Sequence, residues 1–253
     1  MKWAMMTMDP VKLELARRWA PSGWEPWPFN RYAPWHQHID GVHYFDMDSL
    51  ARSLPPRFMR YYNHPKPGYA LGAKQLIPLM LKGDFLFSDD DVFFVQHPQP
   101  LIEMGTFGEG YGFDKWDNSW QSLKRCDALS DIFETEISPS LYNMTNLSNG
   151  VWYADEFPDW ERLLHRFWAH TFTDDISYEG NVFRVLDITF VRCYAILHDW
   201  YVCNLTDERR VYNRAPMVTK PTREKIMKGY WVHYCCKQYK QEYIRVFTEM
   251  LSC

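Results

Sequence analysis

The sequence lacks the features of several specialised protein classes. Its 253 residues contain six cysteines but no Cys-x-x-Cys pair, so we expect reduced thiols rather than a disulfide scaffold. No apolar run approaches the roughly 18 to 20 residues that cross a bilayer. The first ten residues have too short an apolar stretch for a secretory signal. We therefore expect a cytoplasmic protein without a transmembrane segment.

An excess of positive charge is also missing. The chain has 28 Lys and Arg against 32 Asp and Glu, which gives a formal net charge of −4. Proteins that bind nucleic acid through its phosphates need clustered cations. We therefore expect no nucleic-acid partner, and a phosphate-bearing ligand would have to be held by local cations or a metal ion.

Apolar and aromatic residues are plentiful. Hydrophobic residues make up 46% of the chain and aromatic residues 17%, so a large core is possible. Aromatic rings stack well on sugars, but they are more often simply part of the core. The length fits one large α/β domain or two small ones.

The most informative stretch is residues 83–98, in which three consecutive acids stand between two apolar runs. The runs at 85–87 and 92–95 are rich in aromatic and β-branched residues and predict strands. Unpaired carboxylates are costly to bury. We therefore expect the first strand to end at Ser88 and the acids Asp89, Asp90 and Asp91 to emerge at an edge of the sheet. A divalent cation such as Mg²⁺ or Mn²⁺ would offset their repulsion, although a polar loop between two strands is an equal alternative.

Other segments give an α/β order. Strands are predicted at 2–8, 42–45, 147–153 and 230–234, and helices from Pro10 to 19, at 71–81 with a kink or early end at Pro78, at 157–172 and at 182–201. The Trp- and Pro-rich residues 20–38 predict a long irregular segment. The glycine-rich residues 105–112 predict a flexible loop or hairpin, and residues 116–137 give no clear pattern.

With these pieces in order, the chain resembles nucleotide-sugar glycosyltransferases of the A-type (GT-A) fold, in the glycogenin-like and nucleotide-diphospho-sugar transferase branch. Residues 79–92 look like the helix, strand and Asp-x-Asp motif of that family. Residues 149–153 resemble its Asn-x-Gly-Val strand, shortened by one residue, and residues 231–233 look like its late His strand. The resemblance implies a single Rossmann-like domain with a mixed central sheet flanked by helices. Its nucleotide-binding half would span about 1–100 and its acceptor-binding half about 101–253.

The resemblance also implies roles for individual residues. Asp89, Asp91 and His233 would hold Mn²⁺ or Mg²⁺, and an imidazole nitrogen among the ligands favours Mn²⁺. The resemblance implies a UDP-linked donor. The remaining residues implied in binding the donor or the acceptor are Asp90, Lys74, Asn149, Gly150, Lys237 and Lys240. Taken alone, Lys74 could equally be a solvated lysine, and His233 a histidine of the core.

An inverting transferase also needs a carboxylate base for the acceptor hydroxyl, whereas a retaining one does not. Asp187 is the candidate, with Asp155 and Glu156 behind it, although each could instead cap a helix or lie on the surface. Asp187 is followed by Ile188 where many members of the family carry Asp-Gln, so the residue that faces the anomeric carbon is open.

Three other functions remain possible from the sequence. The acids and His233 could belong to a divalent-metal phosphohydrolase. The aromatic surface could belong to a non-catalytic carbohydrate-binding module. A zinc site formed by His233, Cys235 and Cys236 is weaker, because adjacent residues of a strand point to opposite faces.

Overall fold

The computed structural model describes residues 1–7, 10–30, 40–45, 52–56, 58–59, 74–89, 92–94, 96–110, 120–145, 147–170, 186–204, 212–213, 230–233, 245 and 248–249. The strands are β1 (Lys2–Met6), β2 (Glu25–Asn30), β3 (His43–Tyr44), β4 (Phe85–Asp89), β5 (Val92–Phe94), β6 (Phe107–Gly110), β7 (Leu147–Ala154), β8 (Tyr201–Asn204), β9 (Tyr212–Asn213) and β10 (Trp231–His233). The helices are α1 (Pro10–Trp19), α2 (Ile77–Met80), α3 (Gln99–Glu103), α4 (Trp120–Phe133), α5 (Pro139–Thr145), α6 (Trp160–Ala169) and α7 (Leu186–Leu197). Within these ranges no helix is long and apolar enough to cross a membrane.

Seven strands form one mixed sheet in the order β3-β2-β1-β4-β7-β6-β8. Strands β3, β2, β1 and β4 are parallel, β7 is antiparallel to both of its neighbours, and β8 is parallel to β6. A second sheet of three short strands has the order β5-β10-β9. The predicted mixed central sheet flanked by helices is confirmed.

The sheet separates two hydrophobic cores, because alternate residues of a strand point to opposite faces. In β1, Ala4 and Met6 belong to one core, whereas Trp3 and Met5 belong to the other. The first core contains the buried residues of helices α4 to α7. The second contains Leu13 of α1 and the apolar residues of the small sheet. Helices and the small sheet therefore cover both faces of the central sheet.

Strand β2 lies inside the segment that the sequence predicts to be irregular, so that prediction is wrong. Its two prolines lack an N–H, and a proline normally argues against a strand inside a sheet. The Glu25 amide donates to the carbonyl of Met1, the residue just before β1. Because alternate residues of a strand direct their backbone groups to opposite sides, the backbone nitrogens of residues 26 and 28 face away from β1. Strand β3 pairs only with Phe29 and Asn30. The missing donors of Pro26 and Pro28 therefore fall where β3 does not reach.

Strand β6 replaces the predicted glycine-rich loop, which is also wrong. All four of its residues are buried. A Cβ atom at Gly108 would lie 2.3 Å from Leu147 Cδ1, so glycine there allows β6 and β7 to approach closely. Gly108 therefore serves packing rather than loop flexibility.

Three further differences concern the ends of helices and strands. Residues 74–76 form a 3₁₀ turn and α2 begins at Ile77, so Pro78 lies in its first turn, where a proline is tolerated. The predicted helix 182–201 stops at Leu197, and β8 follows it. Helix α4 occupies most of the segment that gave no clear pattern.

Candidate active site

The parallel strands β1, β2 and β4 end at the same edge of the central sheet. Met6 lies opposite both Phe29 and Asp89 in the register. In open α/β sheets, ligands bind outside the carboxyl ends of the strands. The residues at this edge, which we call the carboxyl edge, include Thr7 after β1, Asn30 at the end of β2 and Asp89 at the end of β4.

Asn30 carries an unusual side chain at the carboxyl edge. Its residue is 1% exposed, its backbone carbonyl accepts a hydrogen bond from the Phe45 amide, and its side-chain Oδ1 has no hydrogen-bond partner among the residues that the structure describes. A buried acceptor without a donor costs about 1–3 kcal/mol. A ligand that donates to this atom would recover that free energy.

Asp89 forms an ion pair with Lys74. The Lys74 ammonium lies 2.6 Å from Asp89 Oδ1, and the two side chains are 4% and 20% exposed. The same ammonium stands 5.7 Å from the centre of the Phe87 ring. The solvated alternative for Lys74 is therefore wrong, since the 3₁₀ turn before α2 brings this cation into the interior beside the first acid.

The start of β7 lies next to Asp89. Ser88 is opposite Val151 in the antiparallel pair, so Asn149 and Gly150 occupy the part of β7 at the carboxyl edge. Arg192 of α7 holds this end of the strand, because its guanidinium donates to the Leu147 carbonyl at 2.9 and 3.3 Å. Arg192 is fully buried and lies over the Tyr142 ring, 4.4 Å from its centre.

Strand β10 brings His233 to the acidic segment. It runs antiparallel to β5, with Trp231 opposite Phe94 and His233 opposite Val92. Val92 directly follows Asp91 in the sequence. The backbone of His233 is therefore beside the residue that follows the three acids, although the two segments are separated by 140 residues in the chain.

The two further candidates for a catalytic base, Asp155 and Glu156, lie at the edge of the central sheet opposite to the carboxyl edge. Ala154 is opposite Phe85, four residues along β4 from Asp89, which corresponds to about 13 Å of strand. Asp155 follows Ala154, accepts a hydrogen bond from Thr106 Oγ1 at 3.3 Å, and is exposed like Glu156. Asp155 and Glu156 therefore lie exposed at the edge opposite to Asp89, and their role as a base stays a prediction. Asp187 is the second residue of α7.

Several predicted site residues lie outside the described residues, namely Asp90, Asp91, Lys237 and Lys240. Among the described residues no three His, Cys, Asp or Glu side chains form a cluster that could hold a metal. The donor types still fit a divalent ion, because Mn²⁺ accepts carboxylate and imidazole ligands, and Asp89 ends β4 while the backbone of His233 lies opposite Val92.

Sequence reasoning missed three polar residues of this region, namely Asn30, Glu109 and Arg192. The predicted irregular segment hid Asn30, and the predicted glycine-rich loop hid Glu109. Arg192 carried a usable signal, since an arginine between Val191 and Cys193 in an apolar helix needs a partner inside the protein.

The sequence matches no protein-family model and no curated protein. Solved structures of glycosyltransferases are similar to it. Galactosyltransferase LgtC in complex with donor and acceptor sugar analogues is 14% identical at a TM-score of 0.47, over 100% of this chain and 95% of that chain. Mouse xyloside xylosyltransferase 1 is 10% identical at a TM-score of 0.45, over 93% and 98% of the two chains.

The glycosyltransferase GlyE of Streptococcus pneumoniae is 12% identical at a TM-score of 0.47, over 100% of this chain and 60% of that chain.

Proposed function

We propose that the protein is a metal-dependent glycosyltransferase, which moves a sugar from a UDP-linked donor to a hydroxyl of a glycan or another acceptor. One observation carries the proposal: the buried Lys74–Asp89 ion pair at the carboxyl edge, with the backbone of His233 brought to the same acidic segment by β10. Acids, a cation and a histidine at one edge fit a ligand that carries a diphosphate.

The carboxyl edge also carries a buried hydrogen-bond acceptor that suits a ligand. Within the described part of the chain the buried Asn30 Oδ1 has no donor, and β1, β2 and β4 all end here. An N–H or O–H of a nucleotide would satisfy this acceptor. A purely structural edge would gain nothing from leaving it unsatisfied.

The acids and the histidine are the residues that would hold the metal, namely Asp89, Asp91 and His233. A bound Mn²⁺ would neutralise charge on the diphosphate leaving group as a Lewis acid. Asp89 fits this role as a carboxylate at the end of β4, with the Lys74 ammonium beside its Oδ1.

Lys74 has two tasks under this proposal. Its ammonium favours the ionised form of the Asp89 carboxyl, as a cation at 2.6 Å does. It also adds a positive charge to the edge at which the diphosphate would bind. Asp90, Asn149, Gly150, Lys237 and Lys240 are the further residues proposed to contact donor or acceptor, and Asp187 is the proposed base for an inverting reaction.

The direct test is Mn²⁺-dependent hydrolysis of a panel of UDP-sugars, read by mass, in the wild type and in Asp91→Asn. We expect the wild type to release UDP from at least one donor. The variant should lose about 100-fold or more of that rate, because a ligand of the metal is gone. The matched control is Asp84→Asn, an exposed acid just before β4 at the other edge, which should keep the wild-type rate.

Two outcomes would contradict the proposal. Failure of every UDP-sugar to bind or react with Mn²⁺ present would remove the donor assignment. Release of phosphate from simple esters, with indifference to UDP-sugars, would favour the phosphohydrolase instead.

A further inference from the structure

A buried carboxylate lies outside the roles assigned so far. Glu109 of β6 is 0% exposed, and its Oε1 accepts a hydrogen bond from Trp231 Nε1 at 3.2 Å. Trp231 is also 0% exposed. Placing a carboxylate in the interior is costly unless it is hydrogen-bonded, so an apolar residue at position 109 would be the simpler choice for stability alone.

The partner of Glu109 belongs to the small sheet. Trp231 is the first residue of β10, and its ring packs against Phe94 at 5.8 Å and, nearly parallel, against Phe107 at 6.2 Å between ring centres. Phe107 and Glu109 are alternate residues of β6 and share a face of the central sheet. The ring and the indole N–H of Trp231 therefore attach β10 to β6 at two points.

This attachment fixes β10 only two residues before His233. Ring packing alone tolerates sliding, because apolar contact has no direction, whereas a hydrogen bond fixes distance and angle. A defined position of Trp231 sets the register in which His233 is opposite Val92.

Glu109 also borders the start of β7. Gly108 is opposite Trp152, but Gly110 is opposite Leu147, so the register shifts at Glu109. The irregular part of β7 contains Asn149 and Gly150. Irregularities of this kind recur beside active sites, and here the residue at the register shift is the one that bonds to β10.

We infer that Glu109 is a positioning residue: its hydrogen bond to Trp231 fixes β10 so that His233 is held beside the acidic segment and available to the metal. The inference rests on the metal site of the proposed function. It predicts that Glu109 controls metal affinity without touching metal or substrate.

The test compares Mn²⁺ binding by calorimetry and by the Mn²⁺ spin-resonance signal in the wild type, Glu109→Leu, Glu109→Gln and Trp231→Phe. We expect Glu109→Leu and Trp231→Phe to weaken Mn²⁺ binding about tenfold, as loss of an outer partner of a metal ligand does. Glu109→Gln keeps an amide oxygen that accepts from the indole and should bind Mn²⁺ as the wild type does.

Tyr194→Phe is the matched control for stability. It removes another hydrogen bond of the interior, from Tyr194 to the Pro158 carbonyl at 2.8 Å, at the far edge of the sheet. It should lower the melting temperature and leave Mn²⁺ affinity unchanged. Where UDP-sugar turnover is measurable, Glu109→Leu should raise the Mn²⁺ concentration for half-activation while kcat at saturating Mn²⁺ stays within about twofold.

The outcomes separate the inference from the function on which it rests. A wild type that binds no Mn²⁺ overturns both. A wild type that binds Mn²⁺, with equal binding in Glu109→Leu and Trp231→Phe, overturns the inference alone. Should Glu109→Leu fail to fold, Trp231→Phe decides, because it keeps an aromatic ring in the same place. Loss of affinity in Tyr194→Phe to the same extent would reduce the effect to general destabilisation.

Discussion

At the scale of single residues, Lys74 combines deep burial with a formal charge. Its ammonium is within 2.6 Å of one Asp89 oxygen, at 4% exposure. Burying an ammonium is costly, and removing one partner of a buried pair leaves the other charge uncompensated. The pair therefore commits this part of the chain to one arrangement, in which the turn before α2 and the end of β4 must meet.

Replacement of Lys74 tests how much this ion pair stabilises the folded chain. We expect Lys74→Met to lower the free energy of unfolding by about 2 kcal/mol, less than for a fully buried pair because Asp89 is partly exposed. Urea denaturation followed by circular dichroism measures the change. Lys82→Met, at an exposed lysine beyond α2, is the control and should have almost no effect. Equal stability of Lys74→Met and the wild type would show that the ion pair contributes nothing.

At the scale of helices and strands, a cluster of charges ties α4 to α6. Glu134 follows α4 with a left-handed backbone, φ 56°. Its carboxylate accepts from Arg162 at 3.3 Å and from Arg166, while Arg162 also contacts Asp159 at 3.3 Å. Hydrogen bonds from Arg162 and then Arg166 lower the pKa of the Glu134 carboxyl.

The sign of the pH dependence follows from that shift. A carboxyl whose pKa is lowered in the folded state stabilises above its ordinary value of 4.5, and this contribution is lost as the pH falls through the folded pKa. We expect Glu134→Gln to melt at a lower temperature than the wild type at pH 7. The difference should shrink below pH 4.5 and in high salt, because the charges are exposed.

Calorimetric melting at pH 7 and pH 3, at low and high salt, checks this. Glu161→Gln is the control variant, because Glu161 is an exposed acid in the first turn of α6. A difference in melting temperature that is unchanged by pH and salt would mean that packing, and not charge, carries the effect.

Prediction from the sequence succeeded where side-chain pattern and local partners agree. Strands β4 and β7 contain the apolar runs 85–87 and 151–154, and α6 has apolar residues at helical spacing, so burial on the sheet confirms what each segment favours by itself. It failed at β2 and β6, where Pro and Gly signal turns. Those strands depend on neighbours distant in sequence, namely β1 for β2 and β7 for β6, which local patterns do not contain.

The candidate site shows the same division. The three acids between apolar runs pointed to the end of a strand, and Asp89 ends β4. Its partner Lys74 was a candidate with an equal alternative as a solvated lysine, since nothing in the sequence states that a lysine is buried. The direction of β7 separates Asp155 and Glu156 from Asp89, because an antiparallel strand carries the residues after it to the opposite edge.

At the scale of the whole molecule, we expect two histidines to make folding sensitive to acid. Burial, and then the charge of the N-terminus, lowers the pKa of His97, and burial lowers the pKa of His198 against the pull of Asp159, Asp199 and Glu156. His97 Nε2 accepts from Trp24 Nε1 at 2.5 Å, and an indole nitrogen can only donate. The neutral ring is therefore the form that fits the fold.

A base with a lowered folded pKa takes up its proton first in the unfolded chain. Stability is therefore full above the ordinary value of 6.5 and declines as the pH falls from there toward the folded pKa. We expect the free energy of unfolding to drop between pH 7.5 and 5.5, and to drop less in His97→Gln, whose amide oxygen still accepts from Trp24.

Urea denaturation at the two pH values measures the drop in each protein. The two proteins should differ least at pH 7.5, where the histidine is neutral in both folded and unfolded chains. Parallel losses in the wild type and in His97→Gln would assign the acid sensitivity to other groups.

The prolines of β2 have a consequence for how molecules of this protein meet one another. A strand at the border of a sheet offers a row of N–H donors that can recruit a strand from another copy. Among the described residues, β3 covers only Phe29 and Asn30 of β2, and Pro26 and Pro28 offer no donor on the remaining length. This border therefore resists the intermolecular strand pairing that leads to aggregates, and valine at position 28 would restore one donor to it.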